Sequence, residues 1–349
     1  MDQLNILDRE IDLILDRYTG HFLPLCGKTI LVTGATGLIG FSVIQFLLKI
    51  GKRSSNPPIM LALVRNINKA KKMYGESEFV HFICSDIREP LSIESKIDYI
   101  VHGASQTASS AFVNEPVETI MTAIQGTLNV LNLAKEKKVE SFVYLSSMEV
   151  YGAPDSDEKI DENHATNLNA MAVRSSYPES KRMCESLCAS FCSEYDVPAK
   201  IIRLTQTFGP GVNYNDGRVF ADFARAVIEN RDIVLHTKGE TKRCYLYTID
   251  AVTAILTVLL KGKKGLAYNA ANESTYCSIF EMANLVAEKC SSNKIMVNIQ
   301  EEESSKFGYA PILKMNLDTR RLQELGWEPT KDLIGMFTDM IHSMNNEKK

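Results

Sequence analysis

The sequence predicts an α/β chain: a doubly wound parallel sheet followed by a smaller C-terminal lobe. Short apolar runs alternate with longer amphipathic ones over the first two thirds of the chain, and strands alternating with helices build parallel sheets. A turn carrying Gly34, Gly37 and Gly40 sits between the first apolar run and the first long helical one. Past residue 210 the alternation gives way to polar, turn-rich sequence, which marks a second kind of structure.

The elements follow in order. Residues 2–19 read as an amphipathic helix with Leu4, Leu7, Ile11, Ile14 and Leu15 on one stripe. Residues 1–26 are therefore an accessory element, expected to cover a sheet edge or join an oligomer interface. KTILVT (28–33) is a buried strand, and FSVIQFLLKI is the helix after the glycine turn. A polar SSNPP loop leads to a second strand, MLALV. The third is FVHFIC, closing at Asp86, and the fourth is DYIVHGAS. A helix over about 115–137 precedes the fifth strand, SFVYLSS. The helix that carries Tyr177 and Lys181 runs to about Tyr195, and AKIIRLTQTFG supplies a sixth strand and a turn.

Beyond this, GVNYNDGRV is rich in turn formers and DFARAVIEN is a short helix. RDIVLHTKGETKRCYLYTIDAVTAILTVLL reads as strand, turn, strand, helix. KIMVNIQ is strand-like, and a last helix starts near Lys331. No repeat or low-complexity linker separates the parts. Residues 27–205 form the first unit, and 206–349 mainly build a lobe folded back onto it.

Composition narrows the function classes. The chain has 349 residues, 45% hydrophobic and 23% charged, with a net charge of −4. That balance suits a soluble enzyme and argues against a nucleic-acid surface. No apolar run approaches the ~18 residues of a membrane span, and the acidic N-terminus is unlike a secretory signal. The eight cysteines form no CxxC pair. Cys184, Cys188 and Cys192 recur every fourth residue, as a packed helix face would, and no metal-ligand set is expected. Reduced thiols fit the cytoplasm. A homodimer is expected.

TGATGLIG follows a strand and opens a helix. Glycines there allow a tight turn and close backbone approach, and the helix N-terminus can hold a pyrophosphate. A nicotinamide dinucleotide is the expected cofactor. At the end of the second strand an acid would bond a ribose 2′-hydroxyl, whereas an arginine would accept a 2′-phosphate. LALVRN offers Arg65 and no acid, so NADP is favoured over NAD. The expected cofactor contacts are Gly34, Thr36, Gly37, Leu38, Ile39, Arg65, Asp86, Ile87, Ala104 and Lys181. His102 is expected to line the cleft or pack at its strand end.

YPESK places Tyr177 and Lys181 four apart, on one helix face. Free tyrosine has a pKa of about 10; a neighbouring ammonium is expected to lower it and make the phenol a usable base. With a serine nearby and a hydride acceptor on the glycine turn, the chemistry is alcohol–ketone interconversion.

With TGATGLIG, LSSMEVYG, YPESK and RLTQTFGP in this order, the chain resembles the extended short-chain dehydrogenase/reductase family over about residues 27–345. These proteins have the Rossmann fold and act on nucleotide-linked sugars. NDGRV, KRC and GWEP are similar to its UDP-glucuronate decarboxylase branch. The resemblance implies that Ser147 partners the tyrosine, Tyr177 is the base, and Lys181 serves both tyrosine and ribose. It implies that Arg243 holds a substrate diphosphate, with Arg218 and Gln206 further candidates at the nucleotide. Dehydratases of the family carry Asp-Glu where this chain has Met148-Glu149; methionine donates no proton, which weakens a dehydratase reading and leaves Glu149 as an acid/base. Many members have an asparagine at the position of Ala123; Gln125 or Asn129 is expected to compensate. The implied function is redox-neutral epimerase or decarboxylase chemistry on a nucleotide-diphosphate sugar, at C4. The alternative is an NADPH-dependent reductase of a nucleotide-linked keto-sugar or ketose.

Overall fold

A computed structural model of the chain describes residues 2–18, 20–165, 168–301 and 312–347. The chain opens with α1 (Asp2–Arg17) and enters the main sheet at β1 (Thr29–Thr33). It turns through the glycines into α2 (Leu38–Lys52) and returns as β2 (Ile59–Val64). Then α3 (Ile67–Tyr74) and β3 (Val80–Cys84) complete one wing. The other wing begins at β4 (Tyr99–His102), followed by the single turn α4 (Ala111–Asn114) and the long α5 (Pro116–Lys137). After these come β5 (Ser141–Ser147), α6 (Ser176–Tyr195) and β6 (Ala199–Leu204).

The later segments are shorter. They are β7 (Gln206–Phe208), α7 (Val219–Glu229), β8 (Ile233–Leu235), β9 (Lys242–Tyr247) and α8 (Thr248–Lys261). There follow β10 (Ala267–Ala270), β11 (Asn272–Ser278), α9 (Ile279–Leu285), β12 (Val297–Ile299), β13 (Lys314–Met315), α10 (Arg320–Gln323) and α11 (Leu333–Glu347).

Seven strands form the main sheet in the order β10-β6-β5-β4-β1-β2-β3, every pair parallel. The order reverses between β1 and β4. In such sheets the crevice outside the carboxyl ends of the strands at that switch point takes the ligand. Both faces are covered, which is why the strands read as continuous apolar runs. Ile30 and Val32 pack with α2 and α8 residues such as Phe46 and Ile255. Leu31 points the other way, into a cluster with Leu131 of α5 and Cys188 of α6.

Three features depart from the sequence reading. AKIIRLTQTFG is two strands in different sheets: β6 ends the run in the main sheet, and β7 pairs with β9 in the lobe. Thr205, between them, donates to the carbonyl of Cys244 at 2.6 Å and so pins the crossing to the lobe. The seventh strand, β10, comes from the C-terminal part, where AYNA lacks the β-branched run that marks a strand. Finally, α1 covers no sheet edge. Its Leu7, Ile11 and Ile14 are buried against the α2, α8 and α11 layer. Lys49 and Arg53 of α2 pair with Asp12 at 2.9 and 2.8 Å, and Lys331 pairs with Glu10 at 2.8 Å. The side chain of Leu4 lies outside the described residues.

Candidate active site

The glycine turn is built to admit a flat, anionic group. Gly34 has φ +71°, and a Cβ there would stand 2.9 Å from the amide of Ala104 and from Gly103. A Cβ on Gly40 would lie 2.4 Å from the carbonyl oxygen of Gly34, so α2 packs directly on the turn. Gly37 donates to that same oxygen at 3.0 Å and caps α2 with no side chain on the free amides. Thr36 lies within the turn, and Leu38 and Ile39 open the helix. Open N–H groups at a helix start, with the dipole behind them, favour a pyrophosphate. Tyr74, from the unforeseen α3, donates to Ala35 and holds the turn from outside.

A buried polar chain supports the turn from below. Thr33 Oγ1 accepts from the amides of Gly103 and Ala104, both at 3.1 Å. Its own proton therefore goes to His102 Nδ1, 2.7 Å away. His102 then carries its proton on Nε2 and donates to Thr127 at 3.1 Å. Thr127 donates to Cys184 Sγ, and Cys184 to the carbonyl of Ala123 at 3.3 Å. Burial lowers the His102 pKa to about 3, which keeps the ring neutral. His102 is thus a strand-end packing residue. Cys184 serves the carbonyl of Ala123; Asn129 instead donates to the carbonyls of Ile87 and Glu89, and Gln125 to Asn129.

Past the end of β3, Ile87 is buried beneath Gly126. The Asp86 carboxylate is engaged by Arg88, at 2.9 Å to Nη2, and Arg88 first of all holds its pKa below the usual carboxylate range. Arg65 stands exposed just past β2, its charge within reach of Asp86.

Ser147, Tyr177 and Lys181 converge at the carboxyl end of β5 and the start of α6. The Ser147 hydroxyl accepts from the Glu149 amide at 3.2 Å, and its own hydrogen bond to the phenol pulls down the Tyr177 pKa. The net shift of the phenol is nonetheless upward. Burial dominates, and Glu149 adds to it; besides Ser147, Arg174 and Arg218 work against it. The expected lowering by Lys181 is not what the geometry delivers. Lys181 is itself buried, its pKa lowered to about 8 by desolvation, and it donates to the carbonyl of Leu145 at 2.7 Å.

The Tyr177 ring lies on Phe112 of α4, with centroids 4.2 Å apart and planes at 9°. The Arg174 guanidinium sits over Phe112 at 4.7 Å and pairs with Glu149 at 3.0 Å. The sequence reading missed both Phe112 and Arg174. The spacing of Arg174, one helical turn before Tyr177, was a usable signal; Phe112, on a distant four-residue helix, offered none.

Met148 faces away from this chemistry, buried among Cys244, Met315 and Leu317. On the lobe side, β7 lies beside β9, with Gln206 opposite Tyr245, two positions from Arg243. Arg243 Nε is buried with no hydrogen-bond partner. A buried N–H without an acceptor is costly, so an anion fits at that edge of the half-buried guanidinium. Arg218 starts α7, pairs with Asp216 at 2.6 Å and acts on Tyr177. Its loop is held by Arg225, which donates to the carbonyls of Tyr214 and Asp216 at 2.8 and 2.7 Å.

Comparison with known proteins gives the family and the fold. Residues 30–271 match the model of the NAD dependent epimerase/dehydratase family. UDP-glucuronic acid decarboxylase 1 of Xenopus tropicalis is 28% identical over 325 residues, covering 92% of this chain and 73% of the relative. Among solved structures, an epimerase from Methanothermobacter thermautotrophicus superposes with a TM-score of 0.79 at 22% identity, covering 96% of each chain. UDP-glucuronic acid 4-epimerase from Bacillus cereus, in complex with UDP-glucuronic acid and NAD, gives 0.74 at 19% identity, covering 91% of this chain and 99% of that one.

Proposed function

Because the chain belongs to the NAD dependent epimerase/dehydratase family, we propose that it rearranges the sugar of a UDP-sugar by redox-neutral epimerase or decarboxylase chemistry at the C4 hydroxyl. The observation that carries this reading is the convergence of Ser147, Tyr177 and Lys181 beside the open amino end of α2. The nicotinamide dinucleotide, when bound, supplies reversible hydride transfer. Tyr177 takes the proton of the sugar hydroxyl, and the Ser147 hydroxyl donates to the same oxygen. Lys181 holds the ribose and fixes the position of Tyr177. Glu149 acts as acid/base or orients a second hydroxyl. Arg243, with Arg218 and Gln206, binds the diphosphate; a guanidinium suits that role.

The division of labour follows the chain. Residues 27–205 hold the cofactor and 206–349 mainly build the substrate lobe, with α8 and β10 returned to the first unit. Arg65, with no acid at the strand end, supports NADP over NAD. The free cysteines support a reducing, cytoplasmic setting. Among the described residues no helix is long and apolar enough to cross a membrane. Val117 and Met121 of α5 and Met183 of α6 are exposed, which supports a homodimer through that helix pair.

The test is product analysis. The protein as purified is incubated with UDP-glucuronic acid, UDP-glucose and UDP-N-acetylglucosamine, and products are read by NMR and mass spectrometry. One of them should be converted with no net consumption of cofactor. A reduced product formed at the expense of added NADPH, or no conversion of any of the three, would overturn the reading.

A further inference from the structure

The group around Phe112 brings together two charges that act on Tyr177 in opposite senses. Tyr177 covers one face of Phe112, which leaves the other face for the Arg174 guanidinium at 4.7 Å. A cation over an aromatic face is attracted by the ring quadrupole. The same guanidinium takes the Glu149 carboxylate at 3.0 Å, with both side chains about one third exposed. Ser176, next to Tyr177, donates to the Phe112 carbonyl at 2.8 Å and ties α4 to the start of α6. One arginine thus touches the carboxylate of one candidate acid/base and the ring against which the other is stacked.

We propose that Arg174 is a positioning residue of the reaction: by holding Glu149 and Phe112 together, it sets the carboxylate and the plane of the Tyr177 ring as one unit. The proposal rests on the reading of Tyr177 as the acid/base. Removing the guanidinium frees Glu149 to swing and leaves Phe112 unclamped on a helix of only four residues. It also leaves Tyr177 facing Glu149 with Ser147, Lys181 and Arg218 as its remaining charged and polar neighbours.

The experiment compares Arg174→Met, Arg174→Lys and Tyr177→Phe with the parent, using whichever of UDP-glucuronic acid, UDP-glucose and UDP-N-acetylglucosamine the parent converts. Arg174→Met should lower kcat about ten- to hundredfold, as a small misplacement of reacting groups does. KM and bound cofactor should stay within about threefold on the same argument, since the residue positions without binding. Arg174→Lys keeps the charge on Glu149 and should recover part of kcat. A crystal structure of Arg174→Met should show the Phe112–Tyr177 stack opened, a readout that needs no substrate. Unchanged kcat in Arg174→Met, or a stack and Glu149 that stay in place, would overturn the proposal. If Tyr177→Phe also turns over undiminished, it is the functional reading itself that fails.

Discussion

Lys181 donates to the main-chain oxygen of Leu145 across 2.7 Å, while its Nζ stands 5.7 Å from the centre of the Tyr177 ring. The lysine is anchored to the strand that ends in Ser147, so strand end and helix start are fixed to each other. Its charge is held in a desolvated place, with a pKa lowered to about 8 from the usual 10.5. Affinity for the dinucleotide should therefore fall as pH rises through about 8, and Lys181→Met should erase that step; calorimetry across the range measures both. Stability of the ligand-free protein runs the other way. Between about 8 and 10.5 the unfolded chain holds a proton the folded one has lost, so this group makes stability rise with pH in that window and leaves it flat below. An unfolding series that shows the opposite slope, relative to Lys181→Met, would contradict the assignment.

Tyr177→Phe should keep its stack on Phe112, since only the ring takes part. Cofactor binding and melting temperature should stay near those of the parent. Turnover should drop by about a hundredfold or more, the usual contribution of a positioned acid/base. Steady-state kinetics beside a cofactor-binding titration tests this directly.

Arg243→Met should weaken binding of UDP to the cofactor-loaded protein. A charge-assisted hydrogen bond contributes roughly 1.5–3 kcal/mol, about tenfold or more in affinity. The check is thermal shift with UDP, CDP, GDP and dTDP, because a ligand of the native state raises apparent stability. The parent should respond most to UDP. A variant that responds as the parent does would remove Arg243 from the site.

Arg65→Ala should abolish any preference of the protein for NADP over NAD. If the parent binds both equally by calorimetry, the arginine clamps no 2′-phosphate.

Much of the cofactor half was legible because its signals are local. The inner strands β1, β4 and β5 are buried, largely apolar runs, and the glycine spacing is forced by close approach of Ala104 and α2 to Gly34. What escaped is what tertiary contact decides. AYNA becomes a strand only because β6 offers it an edge. Lys181 looks like a cation poised on Tyr177 when read by spacing, yet burial and Leu145 redirect it. Arg174, on the turn before α6, and Phe112, on the short α4, meet only through the tertiary fold, and no local pattern encodes that meeting. The unpaired Nε of Arg243 is a property of its surroundings, invisible in KRC.

Synthesis delivers α1 long before α11, yet the two lie side by side, joined by Lys331 to Glu10 and by Arg9 to Asp339 at 3.6 Å. The early helix meets α2 soon after it is made, but the part of its apolar face that packs on α8 and α11 waits for the end of the chain. The edge of β6 waits as well, until residues 267–270 arrive to close it. Nascent chains halted before that point carry both a half-covered helix and an open strand edge, the features that draw chaperones and promote aggregation. The native topology therefore makes folding a late, nearly whole-chain event, with cofactor half and lobe completed together.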